Sequence, residues 1–143
     1  MLLVDDEPDV RLLLRIVLSN ESIEIVEASS GADALAALRK DHVDGVVLDW
    51  MMPGVSGLEV LRRVRSDPAL ANVPIIMLTG IDEDRLPEAV DAGADWIVKK
   101  PFLEEDLMEA IYSLFPPEPA RASRTRAARP AGPDSWNELS QPL

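Results

Sequence analysis

Residues 46–59 read Val46-Val47-Leu48-Asp49-Trp50-Met51-Met52-Pro53-Gly54-Val55-Ser56-Gly57-Leu58-Glu59. A short aliphatic run stops at a carboxylate, and Met52-Pro53-Gly54 then reads as a turn. Ser56 and Glu59 stand at the spacing of a capping box, after which Leu58, Leu61 and Val64 recur at helical intervals. Strand, turn and capped helix in this order form half of a βαβ unit.

The same grammar repeats outward from this stretch. Aliphatic runs at Leu2–Val4, Ile23–Val26, Val46–Leu48, Ile75–Leu78 and Trp96–Val98 are too short for core helices and mostly lack polar alternation. That pattern predicts strands covered on both faces. Between them lie helical patterns. Val10, Leu13, Leu14, Val17 and Leu18 follow Pro8; Ala34, Leu35, Ala37 and Leu38 follow the Ser30/Asp33 pair. A weaker helix is expected over Asp84–Ala92, starting late because Pro87 fits only a first turn. A last one is expected over Glu104–Leu114, with acids in the first turn where the macrodipole favours them. Five strands alternating with helices predict an α/β fold, a parallel sheet with helices on both faces. Such a sheet presents its ligand site at the C-terminal ends of its strands.

Composition narrows the chemistry. The 143 residues carry 26 acidic and 14 basic side chains, a formal −12, with one His and no Cys. Residues 1–115 hold 23 of the acids and 10 of the bases. A body so acidic is a poor ligand for duplex DNA or an anionic membrane, because phosphate contacts need clustered Lys and Arg. Thiolate zinc sites, disulfides and cysteine nucleophiles are excluded together. No apolar run approaches a membrane span, and Asp5-Asp6-Glu7 follows Val4 too closely for a signal peptide. A soluble, cytoplasmic domain is expected over 1–115. Residues 116–143 hold six of the twelve prolines and little to bury. That Pro/Ala/Arg-rich composition predicts a disordered tail.

What stands at the strand exits is chemically coherent. Strand 1 ends in Asp5-Asp6, strand 3 in Asp49, strand 4 in Thr79-Gly80 and strand 5 in Lys99-Lys100-Pro101. Two like charges about 4 Å apart at an effective dielectric of 20 repel by roughly 4 kcal/mol. Such a rim takes up a proton or binds a cation. Oxygen-only ligands in an open site suit a hard divalent ion such as magnesium. A carboxylate beside that ion can act as nucleophile toward a phosphoryl group, with an ammonium and a hydroxyl to receive the transferred oxygens. Lys100 precedes a proline, and a cis bond there would aim its ammonium inward. Lys99 is expected to be solvated.

The segments LLVDDE, VVLDWMMPGVSGLE, PIIMLTG and AGADWIVKKPF together resemble the two-component response-regulator receiver domain, over Met1 to about Phe115. The resemblance implies a flavodoxin-like sheet in the order 2-1-3-4-5. It implies that Asp49 is the phosphoacceptor, with Thr79 the switch hydroxyl and Lys100 the phosphate-binding lysine. It further implies a magnesium or manganese ion on Asp6, Asp49 and the backbone carbonyl of Met51, with Asp5 acting mainly through water. The implied partners are a sensor histidine kinase or phosphotransfer protein as donor and a downstream protein as target. The chain is then a monomer or a weak phosphorylation-dependent dimer.

Several positions depart from the family pattern. The usual switch aromatic, three residues before the lysine, is Ile97; Trp96 lies one position earlier, on the opposite strand face. Met51 and Ile81, where polar residues can position water, are apolar and imply slow autodephosphorylation. The last helix has no basic residue and lacks the ion-pair face used by winged-helix relatives to dimerise. Only Met1–Val4 precede Asp5, about 13 Å of strand, whereas receivers commonly start a few residues earlier. An aspartyl-nucleophile magnesium phosphatase would want a second acid two residues after the first, and that position is Met51. A further alternative is a piece of a larger regulator, in which an output domain or the tail contacts nucleic acid through Arg121, Arg124, Arg126 and Arg129. Trp136 and Leu139 could there form a short docking helix.

Overall fold

Each predicted βα unit is present in the computed structural model, which describes residues 1–19 and 22–116. In chain order the elements are β1 (Leu2–Val4), α1 (Pro8–Leu18), β2 (Val26–Ala28), α2 (Gly31–Lys40), β3 (Val46–Asp49) and α3 (Gly57–Ser66). There follow β4 (Ile75–Thr79), a 3-10 turn (Glu83–Arg85), α4 (Leu86–Ala92), β5 (Trp96–Lys99) and α5 (Glu104–Leu114). All strand pairings are parallel, in the order β2-β1-β3-β4-β5. The expectation for a tail at 116–143 lies, apart from Pro116, outside the described residues. Among the described residues no helix is long and apolar enough to cross a membrane.

Strand alternation sorts the core into two layers. Leu2, Val4, Val46, Leu48, Ile75 and Met77 face one way, packing with α2, α3 and Ala89 of α4. Leu3, Val47, Ile76, Leu78, Trp96 and Val98 face the other way, packing with α1 and α5 through Leu14, Leu18, Leu107 and Ile111. Trp96 and Ile97 therefore fall in opposite layers, as their spacing predicts. The capping pairs also form: Ser30 Oγ accepts from Asp33 N at 3.1 Å and Ser56 Oγ from Glu59 N at 3.2 Å. Pro87 sits in the first turn of the short α4, which ends on Gly93 at φ 104°.

One strand is displaced from its expected place. The sequence marks Ile23–Val26, whereas β2 runs Val26–Ala28. Ile23 and Ile25 instead pack against the α1/α5 layer, and the ladder begins where Met1 O accepts from Val26 N at 3.0 Å. As a sheet edge, β2 is not covered on both faces: Val26 is 37 % exposed and Glu27 is exposed too. Glu27 is held in the strand by ion pairs to Arg11 and Arg15 of α1, so apolarity does not mark this edge.

Candidate functional site

The parallel ladder carries every C-terminal strand end to one rim. β1 and β3 are adjacent, and beyond their last aliphatic residues stand Asp5 and Asp49. Asp5 is fully buried and Asp49 is 4 % exposed, while Asp6 is half-buried. One carboxylate oxygen from each of the three lies within 4.8 Å of the others. β3 is followed closely by α3: a Cβ built on Gly57 would lie 2.0 Å from Asp49 O, so only glycine allows this approach.

Lys100 enters the cluster from β5. Its Nζ donates to Asp5 Oδ2 and to Asp49 Oδ1, both at 3.0 Å. The Lys100–Pro101 bond is cis, and Lys100 N donates to Thr79 O at 2.7 Å. Lys99 turns the other way, to an exposed ion pair with Glu83. Thr79 is fully buried at the end of β4, and its Oγ1 accepts from Ile81 N at 2.8 Å. Accepting this bond leaves the hydroxyl its one O–H to donate. Met51 follows in the loop after Asp49 and is 60 % exposed. Asp5, Asp6, Asp49 and the Lys100 ammonium thus gather at the rim where β1, β3 and β5 end, with Thr79 at the end of β4 joined to Lys100 through the backbone.

Electrostatics leave this rim short of positive charge. Three carboxylates face one ammonium, and the Asp49 pKa is raised to about 6. Burial is the main cause, with the neighbouring charges of Asp5 and Asp6 adding to it and Lys100 opposing. At Lys100 burial works against the charge, but its bonds to Asp49 and Asp5 outweigh that and raise its pKa. Oxygen-only donors with two carboxylates taken out of water fit a hard divalent cation.

Two contacts around the rim had no mark in the sequence. Arg85, in the 3-10 turn, lies over the ring of buried Trp50 at 5.6 Å from its centroid. Arg11 Nη1 donates to Asp5 O at 2.7 Å. Both arginines sit on amphipathic segments where a cation reads as a solvated face; the only available signal was the i, i+4 spacing of Arg11 and Arg15.

Comparison with known proteins agrees with this geometry. The family model for the response regulator receiver domain matches residues 1–112. Chemotaxis protein CheY of Pseudomonas aeruginosa is 36 % identical over 117 residues, covering 80 % of this chain and 94 % of that protein. Phosphate regulon transcriptional regulatory protein PhoB of the same organism is 37 % identical over 116 residues, covering 80 % of this chain and 51 % of PhoB. The chain therefore spans about half the length of PhoB and nearly all of CheY. Chemotaxis response regulator CheY4 of Vibrio cholerae superposes with a TM-score of 0.75 at 30 % identity, over 80 % of this chain and 96 % of that one. The sheet order 2-1-3-4-5, the acidic rim and a family match over residues 1–112 lead to one conclusion: this chain belongs to the receiver-domain family of two-component response regulators.

Proposed function

We propose that the domain, read as residues 1–115, accepts a phosphoryl group on Asp49 from a sensor histidine kinase or phosphotransfer protein and passes the signal on by protein–protein contact. The observation that carries this reading is Lys100 Nζ at 3.0 Å from both Asp5 and Asp49. An ammonium so placed can neutralise a carboxylate at rest and receive phosphoryl oxygens afterward. In the transfer, an Asp49 carboxylate oxygen forms the new bond to phosphorus. The phosphorus–nitrogen bond to the donor imidazole breaks, and its electron pair stays on that nitrogen. Asp49 must be ionised to attack, and with a pKa of about 6 it is largely so at neutral pH.

Asp5, Asp6 and Asp49, with the backbone carbonyl of Met51, would hold a magnesium or manganese ion. Bound there, the metal supplies positive charge that stabilises the transferred oxygens. Lys100, whose charge its neighbours reinforce, holds another of those oxygens. Thr79 donates its free hydroxyl proton to a third. Moving a two-state surface from 1:99 to 99:1 needs about 5.5 kcal/mol of differential interaction. Charge-assisted hydrogen bonds at about 1.5–3 kcal/mol each from Thr79 and Lys100 supply much of that. The surface so biased is that of β4, β5 and their helices. Apolar Met51 and Ile81 leave attacking water unpositioned, so the phosphoryl group is long-lived. The domain works in the cytoplasm as a signalling module rather than a turnover enzyme.

The test adds a small phosphodonor with magnesium and follows the intact mass. One acid-labile phosphoryl adduct is expected, absent from Asp49→Asn. An adduct that survives this substitution, or none in the wild type, overturns the reading. A second reading rests on the coverage of PhoB, named a transcriptional regulatory protein, of which this chain spans 51 %. There the domain governs an attached nucleic-acid-binding unit, and DNA affinity of a longer chain should fall steeply with salt.

A further inference from the structure

Both backbone polar groups of Asp5 lead to the last two residues of β2. Asp5 N donates to Ala28 O at 3.2 Å. Asp5 O accepts from Arg11 Nη1 at 2.7 Å, and the same guanidinium donates through Nε to Glu27 Oε1 at 2.9 Å. Arg15 Nη1 donates to the other oxygen of Glu27 at 2.8 Å. The Arg11 side chain is 17 % exposed and that of Arg15 is 49 % exposed, so the inner arginine does the bridging and the outer one steadies Glu27 from solvent.

Chain geometry gives this bridge a purpose. β2 stops at Ala28, opposite Val4, so no further ladder residue of β2 stands opposite Asp5. A buried carbonyl must find a donor. Arg11 supplies it, and in doing so fixes the plane of the Asp5–Asp6 peptide. That peptide sets the relative placement of the two carboxylates that follow β1. The Asp5 side chain is fixed independently, because its Oδ1 accepts from Glu7 N at 2.9 Å.

We infer that Arg11, oriented by Glu27, is a positioning residue that pre-arranges Asp5 and Asp6 for a divalent cation. The inference rests on the metal reading above. Groups that orient metal ligands from behind commonly change metal affinity by 10–100-fold when removed. Arg15 provides the control: it shares Glu27 but does not reach Asp5. Glu27 in the edge strand then has a role beyond solubility, since it aims the guanidinium that aims the carboxylates.

The experiment titrates magnesium alone into the full chain, stripped of divalent ions, by calorimetry, with a denaturant midpoint measured in parallel. Arg11→Ala should weaken magnesium uptake by about tenfold or more. Arg15→Ala should change it by less than about twofold, because an exposed ion pair contributes little. Arg11→Lys, which can meet the carbonyl but not fork to Glu27, should fall between and serves if the alanine variant does not fold. Saturating magnesium should restore the phosphorylation rate of Arg11→Ala. Unchanged magnesium affinity in Arg11→Ala or Arg11→Lys, with only the denaturant midpoint lowered, reduces Arg11 to a structural brace and overturns the inference. Absence of magnesium uptake by the wild type would instead overturn the metal reading itself.

Discussion

The two ends of the sheet handle charge in opposite ways. At the base, the Arg65 guanidinium donates to Gly93 O at 2.9 Å, Ala71 O at 3.0 Å, Val73 O at 2.7 Å and Asp95 Oδ2 at 2.8 Å. Asp95 Oδ2 also accepts from Ile75 N at 2.8 Å. One cation meets one anion, and carbonyls from two loops converge on the remaining donors. At the rim, among the described residues, three carboxylates gather around one ammonium, which bonds to two of them. Charge there is left uncompensated by the protein, in a place where burial keeps water from compensating it instead. A self-satisfied cluster ties elements together; an unsatisfied one has capacity for a ligand.

Removing the central group at each end should sharpen that contrast. Arg65→Ala leaves Asp95 without its cation and strips donors from three carbonyls. The pair is only partly buried, so the loss falls between that of surface and interior ion pairs, about 2–3 kcal/mol. Urea unfolding should show a lower midpoint with an unchanged slope. Magnesium affinity should not move. A loss below about 0.5 kcal/mol would mean that the base is ordinary surface.

Asp49→Asn should do the reverse and stabilise the metal-free protein. The Asp49 pKa is raised from 3.8 to about 6, chiefly by burial. Above pH 6 the carboxylate is ionised both folded and unfolded, and the folded state carries the penalty of its burial. As pH falls from 6 toward 4 the native state takes up a proton that the unfolded chain does not, and the penalty is relieved. The asparagine variant should therefore be more stable by about 2 kcal/mol at pH 7–8, an advantage that fades through this window. Urea midpoints measured in a metal chelator at pH 7.5 and 4.5 check it (both values chosen to bracket the titration). A destabilised asparagine variant at the upper pH would show that the rim is as self-satisfied as the base.

The sequence disclosed the rim better than the base for a physical reason. Strands buried on both faces must be aliphatic, so β1, β3 and β4 stand out, the edge strand β5 joins them through its apolar Trp96–Val98 run, and the polar residues that end them are conspicuous by contrast. β2 escapes because an edge strand need not be apolar: Val26 and Glu27 are exposed, and its ladder is placed by Met1 and by two arginines. Arg65 and Asp95 meet across 30 positions of sequence and look like solvated charges on either side of β4. Arg11 is hidden likewise, its role residing in a backbone carbonyl that no side-chain pattern encodes. Trp50 next to Asp49 was legible as an aromatic, but its cover by Arg85 depends on the 3-10 turn that Pro87 delays into α4.

The smallest expected effect is also the cleanest test of independence between the ends. A ligand that binds only the folded state stabilises it by RT ln(1 + [L]/Kd), about 1.4 kcal/mol at ten times Kd. Magnesium at that level should raise the urea midpoint of the wild type accordingly. The base lies four residue steps down β4 from Thr79, about 13 Å away, and among the described residues the bonds of Arg65 and Asp95 involve none of the rim groups. Effects at such a separation add within about 0.3–0.5 kcal/mol. Arg65→Ala should therefore keep the whole increment on a lower baseline. Asp6→Asn should lose most of it while leaving the metal-free midpoint nearly unchanged, because Asp6 is the half-buried member of the cluster and its charge is the least desolvated. An increment that vanishes in Arg65→Ala would mean that β4 transmits strain between its two ends, and the balanced base would then be part of the site rather than its counterweight.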